Sequence, residues 1–212
     1  MDERLLKAQL IKEIEEAGSS DLEFGGSWVG GYHIQQDPSE FADLILCLEA
    51  NMRKAAKLRY LQVGSAAGGC ERFIMEKLKM NSLTIIDDGK HFQFEWWNKV
   101  NRKKLQEQGF EISEHIGDSH EEAADEFLKK QGRKYDLIGI DGDHSACGAR
   151  LDWLLVEPYI QEGTLIWLHD LHVQRVHDQG PWELWSKLKS KPNFEVRLET
   201  MKNFGIGLIQ VK

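Results

Sequence analysis

The sequence predicts an α/β fold: a doubly wound, mostly parallel sheet that ends in an antiparallel hairpin and is preceded by N-terminal helices. Two observations predict it. From about residue 58, short apolar runs alternate with amphipathic helical stretches, the pattern of a parallel sheet covered on both faces. The last two runs have no long helical stretch between them, so they can pair as a hairpin. A chain of 212 residues, 41% of them hydrophobic, can bury a core of that size.

The elements follow in order. Leu6, Leu10, Ile11 and Ile14 recur at helical spacing, and Gly18 can end that helix. Gly25 to Gly31, carrying Trp28 and running on through Tyr32 and His33, reads as a glycine-rich loop suited to a lid. Asp37-Pro38-Ser39-Glu40 opens a second helix: Asp37 is a natural N-cap, Pro38 suits the first turn, and Glu40 stands where a capping box wants an acid. Residues 1–57 are thus a helical segment with a lid loop, and 58–212 are the core. Strands are expected at Arg59–Val63, Leu83–Ile86, Phe110–Ile116, Tyr135–Ile140 and Thr164–Leu168. Helices are expected between them at Glu71–Lys79, Phe92–Gln108, His120–Lys130 and Ala149–Tyr159. A loop with three histidines, in which His172 and His177 read as solvated residues, a helix over Trp182–Lys189 and the hairpin runs Phe194–Thr200 and Gly205–Val211 complete the chain.

Composition excludes several functions. The 35 acidic and 27 basic side chains leave a net charge of −8. Sequence-independent nucleic-acid binding needs clustered Lys and Arg, and an anionic membrane surface would repel such a chain. No apolar run approaches the ~20 residues of a membrane span. The start MDERLLKAQLIKEIEEAG lacks the apolar segment and cleavage site of a signal peptide. Three scattered cysteines, Cys47, Cys70 and Cys147, suit neither a disulfide framework nor a thiolate metal site. A cytoplasmic protein is expected, and the N-terminal helical segment suits a homo-oligomer interface.

Between the first strand and its helix lies Leu61-Gln62-Val63-Gly64-Ser65-Ala66-Ala67-Gly68-Gly69. Glycines there let the backbone turn sharply and approach a ligand, and the next helix points its N-terminus at it. The spacing is not that of a dinucleotide fingerprint, and no Gly-Lys-Ser/Thr follows as in a P-loop. The turn resembles the first motif of class I S-adenosyl-L-methionine-dependent methyltransferases, with Gln62 in place of the usual acid and Ala66 in place of a usual glycine. The resemblance implies a Rossmann-like fold and assigns cofactor binding to Gly64, Ser65, Gly68 and Gly69. It also gives Asp87, at the end of strand two, the ribose diol, for which a carboxylate offers two acceptors. Asp118, after strand three, is given the adenine amino group.

Strand four ends in Ile140-Asp141-Gly142-Asp143-His144-Ser145 and strand five in Leu168-His169-Asp170. Adjacent strands lie ~4.8 Å apart, so these side chains should meet in one cleft. Two carboxylates and an imidazole there can hold Mg²⁺ or another divalent cation, with Mn²⁺ and Fe²⁺ favoured by the imidazole. The pattern resembles a branch of small-molecule O-methyltransferases that includes macrolide-sugar and cephalosporin hydroxylase-like members. That resemblance places metal ligation on Asp141, His169 and Asp170, a cofactor contact also on Asp141, and a small hydroxylated acceptor, a sugar or a natural product, in the cleft.

Methyl transfer to oxygen needs an in-line nucleophile and a means of removing its proton. The base candidates are His144, expected neutral near pH 7, and Asp143, with Asp141 beside them. Without a metal, His144 or His169 becomes the base. Gln62 and Ala66 leave open a binding module that has lost the chemistry.

Overall fold

The computed structural model describes residues 3–18, 31–172 and 179–212. Most of the glycine-rich loop, with Trp28, and His177 of the histidine loop lie outside the described residues. The elements in order are α1 (Glu3–Ala17), α2 (Pro38–Asn51), β1 (Arg59–Val63), α3 (Gly69–Lys77), β2 (Ser82–Asp87), α4 (Phe94–Trp96) and α5 (Arg102–Glu107). Then come β3 (Glu111–Ile116), α6 (Glu122–Gln131), β4 (Leu137–Ile140), α7 (Ala146–Val156), β5 (Leu165–His169), α8 (Gly180–Leu188), β6 (Phe194–Thr200) and β7 (Ile206–Val211). The strands form one seven-stranded sheet in the order β3-β2-β1-β4-β5-β7-β6. Strands β1 to β5 pair in parallel, and β7 inserts antiparallel between β5 and β6. The expected architecture is present, hairpin included.

Period-two alternation builds the core. Tyr60, Leu165 and Trp167 point to one face of the sheet, where Leu10, Phe41, Leu48 and Phe73 of α1, α2 and α3 cover them. Leu61, Val63, Ile166 and Leu168 point to the other, under Leu128, Trp153 and Trp185 of α6, α7 and α8. The N-terminal helices therefore share a hydrophobic cluster with the sheet. Among the described residues no helix is long and apolar enough to cross a membrane.

Three expectations are refined. The helix expected over 92–108 contains a π-helical turn, Trp97–Asn101, between α4 and α5. Its buried Asn101 donates to the carbonyls of Tyr32 (2.7 Å) and Ala67 (2.8 Å), which ties the turn to the segment before α2 and to the turn after β1. At α2, Asp37 caps as expected, accepting from the amides of Ser39 and Glu40. Glu40 is not a capping-box acid. Its fully buried carboxylate accepts from the amides of Lys202, Asn203, Phe204 and Gly205, the turn of the β6–β7 hairpin. His172 is half-buried against that hairpin, its amide donating to the carbonyl of Phe204, rather than a solvated loop residue.

Candidate active site

The order of the sheet decides where a ligand can sit. The chain winds outward from β1 to β3 and returns to place β4 on the other side of β1. The connections after β1 and β4 therefore part, and a crevice opens at their carboxyl ends. Register puts Val63 level with Ile86 and Ile140, so Gly64, Asp87 and Asp141 arrive together. A cleft of about 610 Å³ lies there, a usual size for a small-molecule site. Gly64, Ser65, Asp87, Asp118, Asp141 and Asp143 all line it.

The glycine turn is shaped by protein atoms as much as by a ligand. Gly64 has φ +74°, and a Cβ there would lie 2.0 Å from the carbonyl oxygen of Asp141. Only glycine lets β1 and β4 pass this closely. Gly68 and Gly69 do not line the cleft; a Cβ on Gly69 would strike the carbonyls of Tyr32 and His33. They keep the turn tight behind the wall of the cleft, a different reason for glycine from ligand approach.

Asp87 is 7% exposed. Its Oδ2 accepts from the Ser65 amide (2.7 Å), the Ser65 hydroxyl (3.1 Å) and the Ala66 amide (3.1 Å), and its Oδ1 from the Gly89 amide (2.8 Å). The carboxylate thus holds the turn after β1 in place. Asp118 is more open: its Oδ1 accepts from the His120 amide at 2.9 Å, and half the side chain is exposed. Beneath both strand ends, fully buried Asp152 accepts from the Ser119 hydroxyl, the His120 ring and the Asp143 amide. It ties the segments after β3 and β4 together.

Where β4 and β5 end, beside the cleft and joined to it through Asp141, Asp141, His144 and Asp170 each offer a ligand atom within 4.8 Å of the others. His144 Nε2 lies 3.4 Å from both Asp141 Oδ1 and Asp170 Oδ2. His169 turns Nδ1 to the same carboxylates, at 3.5 and 3.2 Å, while its buried Nε2 has no hydrogen-bond partner among the described residues. Asp170 adopts φ +56°, a left-handed conformation that Asp tolerates better than most residues. Charge follows geometry. Burial opposes ionisation of Asp141, but His169 and His144 beside it hold its carboxyl well below the usual range. Burial opposes the charge on His144, yet the two carboxylates raise it to about 9. His144 is therefore a cation near neutral pH in this arrangement, not the neutral base expected from the sequence. Asp143 is also held low, chiefly by the Ser145 amide that donates to it, which makes it a weak base.

With this geometry in view, comparison with known proteins is direct. Residues 61–171 match the family model described as a methyltransferase domain, just over half of the chain. The chain belongs to that family.

The methyltransferase resembles several solved structures in fold. The O-methyltransferase TomG from Streptomyces achromogenes, involved in tomaymycin synthesis and solved with S-adenosylmethionine, aligns at TM-score 0.64 and 12% identity. That match covers 100% of this chain and 99% of TomG. An O-methyltransferase from Bacillus cereus, solved with S-adenosylhomocysteine, aligns at TM-score 0.60 and 13% identity, covering 97% and 89%. MycE of the mycinamycin pathway, solved with Mg and S-adenosylhomocysteine, aligns at TM-score 0.54 and 13% identity over 83% of this chain and 50% of MycE. No curated protein matches in sequence.

Within the methyltransferase, a divalent cation fits the donor set of two carboxylates and an imidazole converging on one point. His144 is the imidazole of that set, and His169, the ligand expected from the strand-five pattern, turns Nδ1 to the same two carboxylates from its buried position. Sequence reasoning missed Glu71, Gln35, His91 and His120, which line the cleft, and Asp152 beneath it. For Glu71 and Asp152 a signal existed: each is an acid on the buried side of an amphipathic helix.

Proposed function

We propose that this methyltransferase transfers the methyl group of S-adenosyl-L-methionine to a hydroxyl oxygen of a small molecule, a sugar or natural product, with help from a divalent cation. One observation carries the reading. Asp141 belongs both to the cleft at the β1–β4 crevice and to the carboxylate–imidazole cluster, so donor and cation sites would share a side chain. The fold shared with TomG and MycE, solved with S-adenosylmethionine and with Mg, supports it.

In this mechanism the turn after β1, braced by Asp87, receives the nucleoside, and Asp118 lies on the cleft wall for the base. Asp141, His144 and Asp170 would hold the cation, which when bound lowers the pKa of an acceptor hydroxyl and steadies the alkoxide. In the transfer the hydroxyl oxygen would form its bond to the methyl carbon as the S–C bond breaks, its proton passing to solvent at the exposed Asp143 side of the cleft and the donor leaving as the neutral thioether. His144, cationic between its carboxylates, would have to give up its proton to serve as a ligand.

The test is Asp170→Asn, because asparagine keeps the left-handed backbone while removing the charge. We expect methyl transfer to a panel of hydroxylated acceptors to fall at least about a hundredfold, and Mn²⁺ binding to be lost. Affinity for S-adenosylhomocysteine should stay within about threefold of wild type, since Asp170 does not line the cleft. Activity that survives both this substitution and chelator would reject the cation.

A further inference from the structure

Among the described residues six carboxyl side chains line the cleft, and five have partners. Asp87 accepts from the turn after β1, Asp88 from Lys90, Asp118 from the His120 amide, Asp141 pairs with His144 and His169, and Asp143 accepts from the Ser145 amide. The sixth, Glu71, is different. It is the third residue of α3, only 2% exposed, and its Oε2 has no hydrogen-bond partner among the described residues. Burial pushes its carboxyl well up, and the negative charges of Asp141 and Asp87 add to that. A carboxyl oxygen buried beside a ligand cleft without a partner is costly. A cationic donor brought by the ligand would relieve the cost.

Gln62, at the end of β1, supplies no charge to the cleft. It stands where the first motif of these enzymes usually carries an acid, and its amide is committed inside the protein. Nε2 donates to the carbonyls of Gly64 (2.6 Å) and Val63 (3.1 Å). Oε1 accepts from the Tyr60 hydroxyl (2.6 Å), which in turn accepts from Trp167 Nε1 (3.2 Å). The end of β1 therefore offers the ligand no negative charge of its own. Glu71 is one helical turn beyond the same loop and supplies one.

We propose that Glu71 receives the α-ammonium group of the amino-acid half of the methyl donor, taking over a charge that Gln62 lacks. The assignment rests on the reading of this cleft as an S-adenosylmethionine site. The ammonium brings three donors to a buried carboxyl whose Oε2 has no partner among the described residues, and binding would make the two an ion pair. Glu71 is a positioning residue for the donor and takes no part in moving the methyl group.

The experiment is isothermal calorimetry on wild type and Glu71→Gln with three ligands. These are S-adenosylhomocysteine, its analogue in which hydrogen replaces the α-amino group, and 5′-methylthioadenosine, which lacks the whole amino-acid head. Wild type should bind S-adenosylhomocysteine at least about tenfold more tightly than the deaminated analogue. Glu71→Gln should lose that discrimination, binding S-adenosylhomocysteine about tenfold or more weakly, while both proteins bind 5′-methylthioadenosine within about twofold. Equal affinity of wild type for the amino and deaminated ligands overturns the proposal, whatever the variant does. So does a variant that keeps full affinity for S-adenosylhomocysteine, or one that loses 5′-methylthioadenosine equally. Wild type that binds none of the three overturns the donor reading of the cleft itself, a distinct result.

Discussion

Asp87 ends β2 with one oxygen accepting from the Ser65 and Ala66 amides and the other from Gly89. The carboxylate expected to meet a ribose is already a structural clamp on the turn that would cradle it. Replacing it with alanine should therefore do two things. It should cost about 3 kcal/mol of stability through lost charged hydrogen bonds, a fall of roughly 6–12 °C in Tm for a chain of this length. It should also weaken S-adenosylhomocysteine binding at least about tenfold. Thermal unfolding and calorimetry read the two effects separately; a drop in affinity with unchanged Tm would mean that the clamp is unimportant. His144 carries the same lesson. An imidazole neutral near pH 7 at the end of strand four suggested a base, whereas the approach of Asp170 from the next strand makes it a charged partner of two acids.

The β6–β7 hairpin shows how an element is held in place. Its turn places four amides on the carboxylate of Glu40, from the first turn of α2, more than 150 residues earlier in the chain. That turn also sets Phe204 against His169, with ring centroids 6.1 Å apart. Glutamine at position 40 presents one acceptor oxygen and turns an NH₂ toward amide donors. Glu40→Gln should destabilise the protein by about 2–4 kcal/mol. Amide exchange at residues 202–205 should accelerate more than in β1 or β4. Uniform acceleration across the sheet would show that the carboxylate matters to global stability only and not to the hairpin. The π-helical turn belongs to the same scale: periodicity over 92–108 reads as one helix, and the bonds from Asn101 to two distant carbonyls accompany the change of pitch.

For the molecule as a whole, the cluster at the β4–β5 end ties stability to pH. His144 is raised from 6.5 to about 9, so its contribution is full below its unfolded value and is lost as pH rises through about 9. In chelator, wild-type Tm should fall more steeply between about pH 7 and 10 than that of His144→Gln, which has no proton to lose there. Parallel curves for the two proteins would remove the linkage. The two halves of the chain also meet at this scale. Leu10, Phe41 and Leu48 share one hydrophobic cluster with Tyr60, Trp167 and Leu208, so α1 and α2 complete the covering of one sheet face.

The alternation of strand and helix, the glycine turn after β1 and the acids at successive strand ends were legible in the sequence, because each depends on local spacing. A period of two or 3.6 sets which face a residue takes, and a parallel sheet gathers its strand ends at one edge. What those acids touch was decided only by tertiary structure. Asp87 met the turn after β1, Glu40 met the hairpin, His144 met Asp170, and Glu71 was left facing the cleft. Partners so far apart in sequence are chosen by register and packing, and a side chain's charge state is set by the neighbours it meets in space rather than by those beside it in the chain.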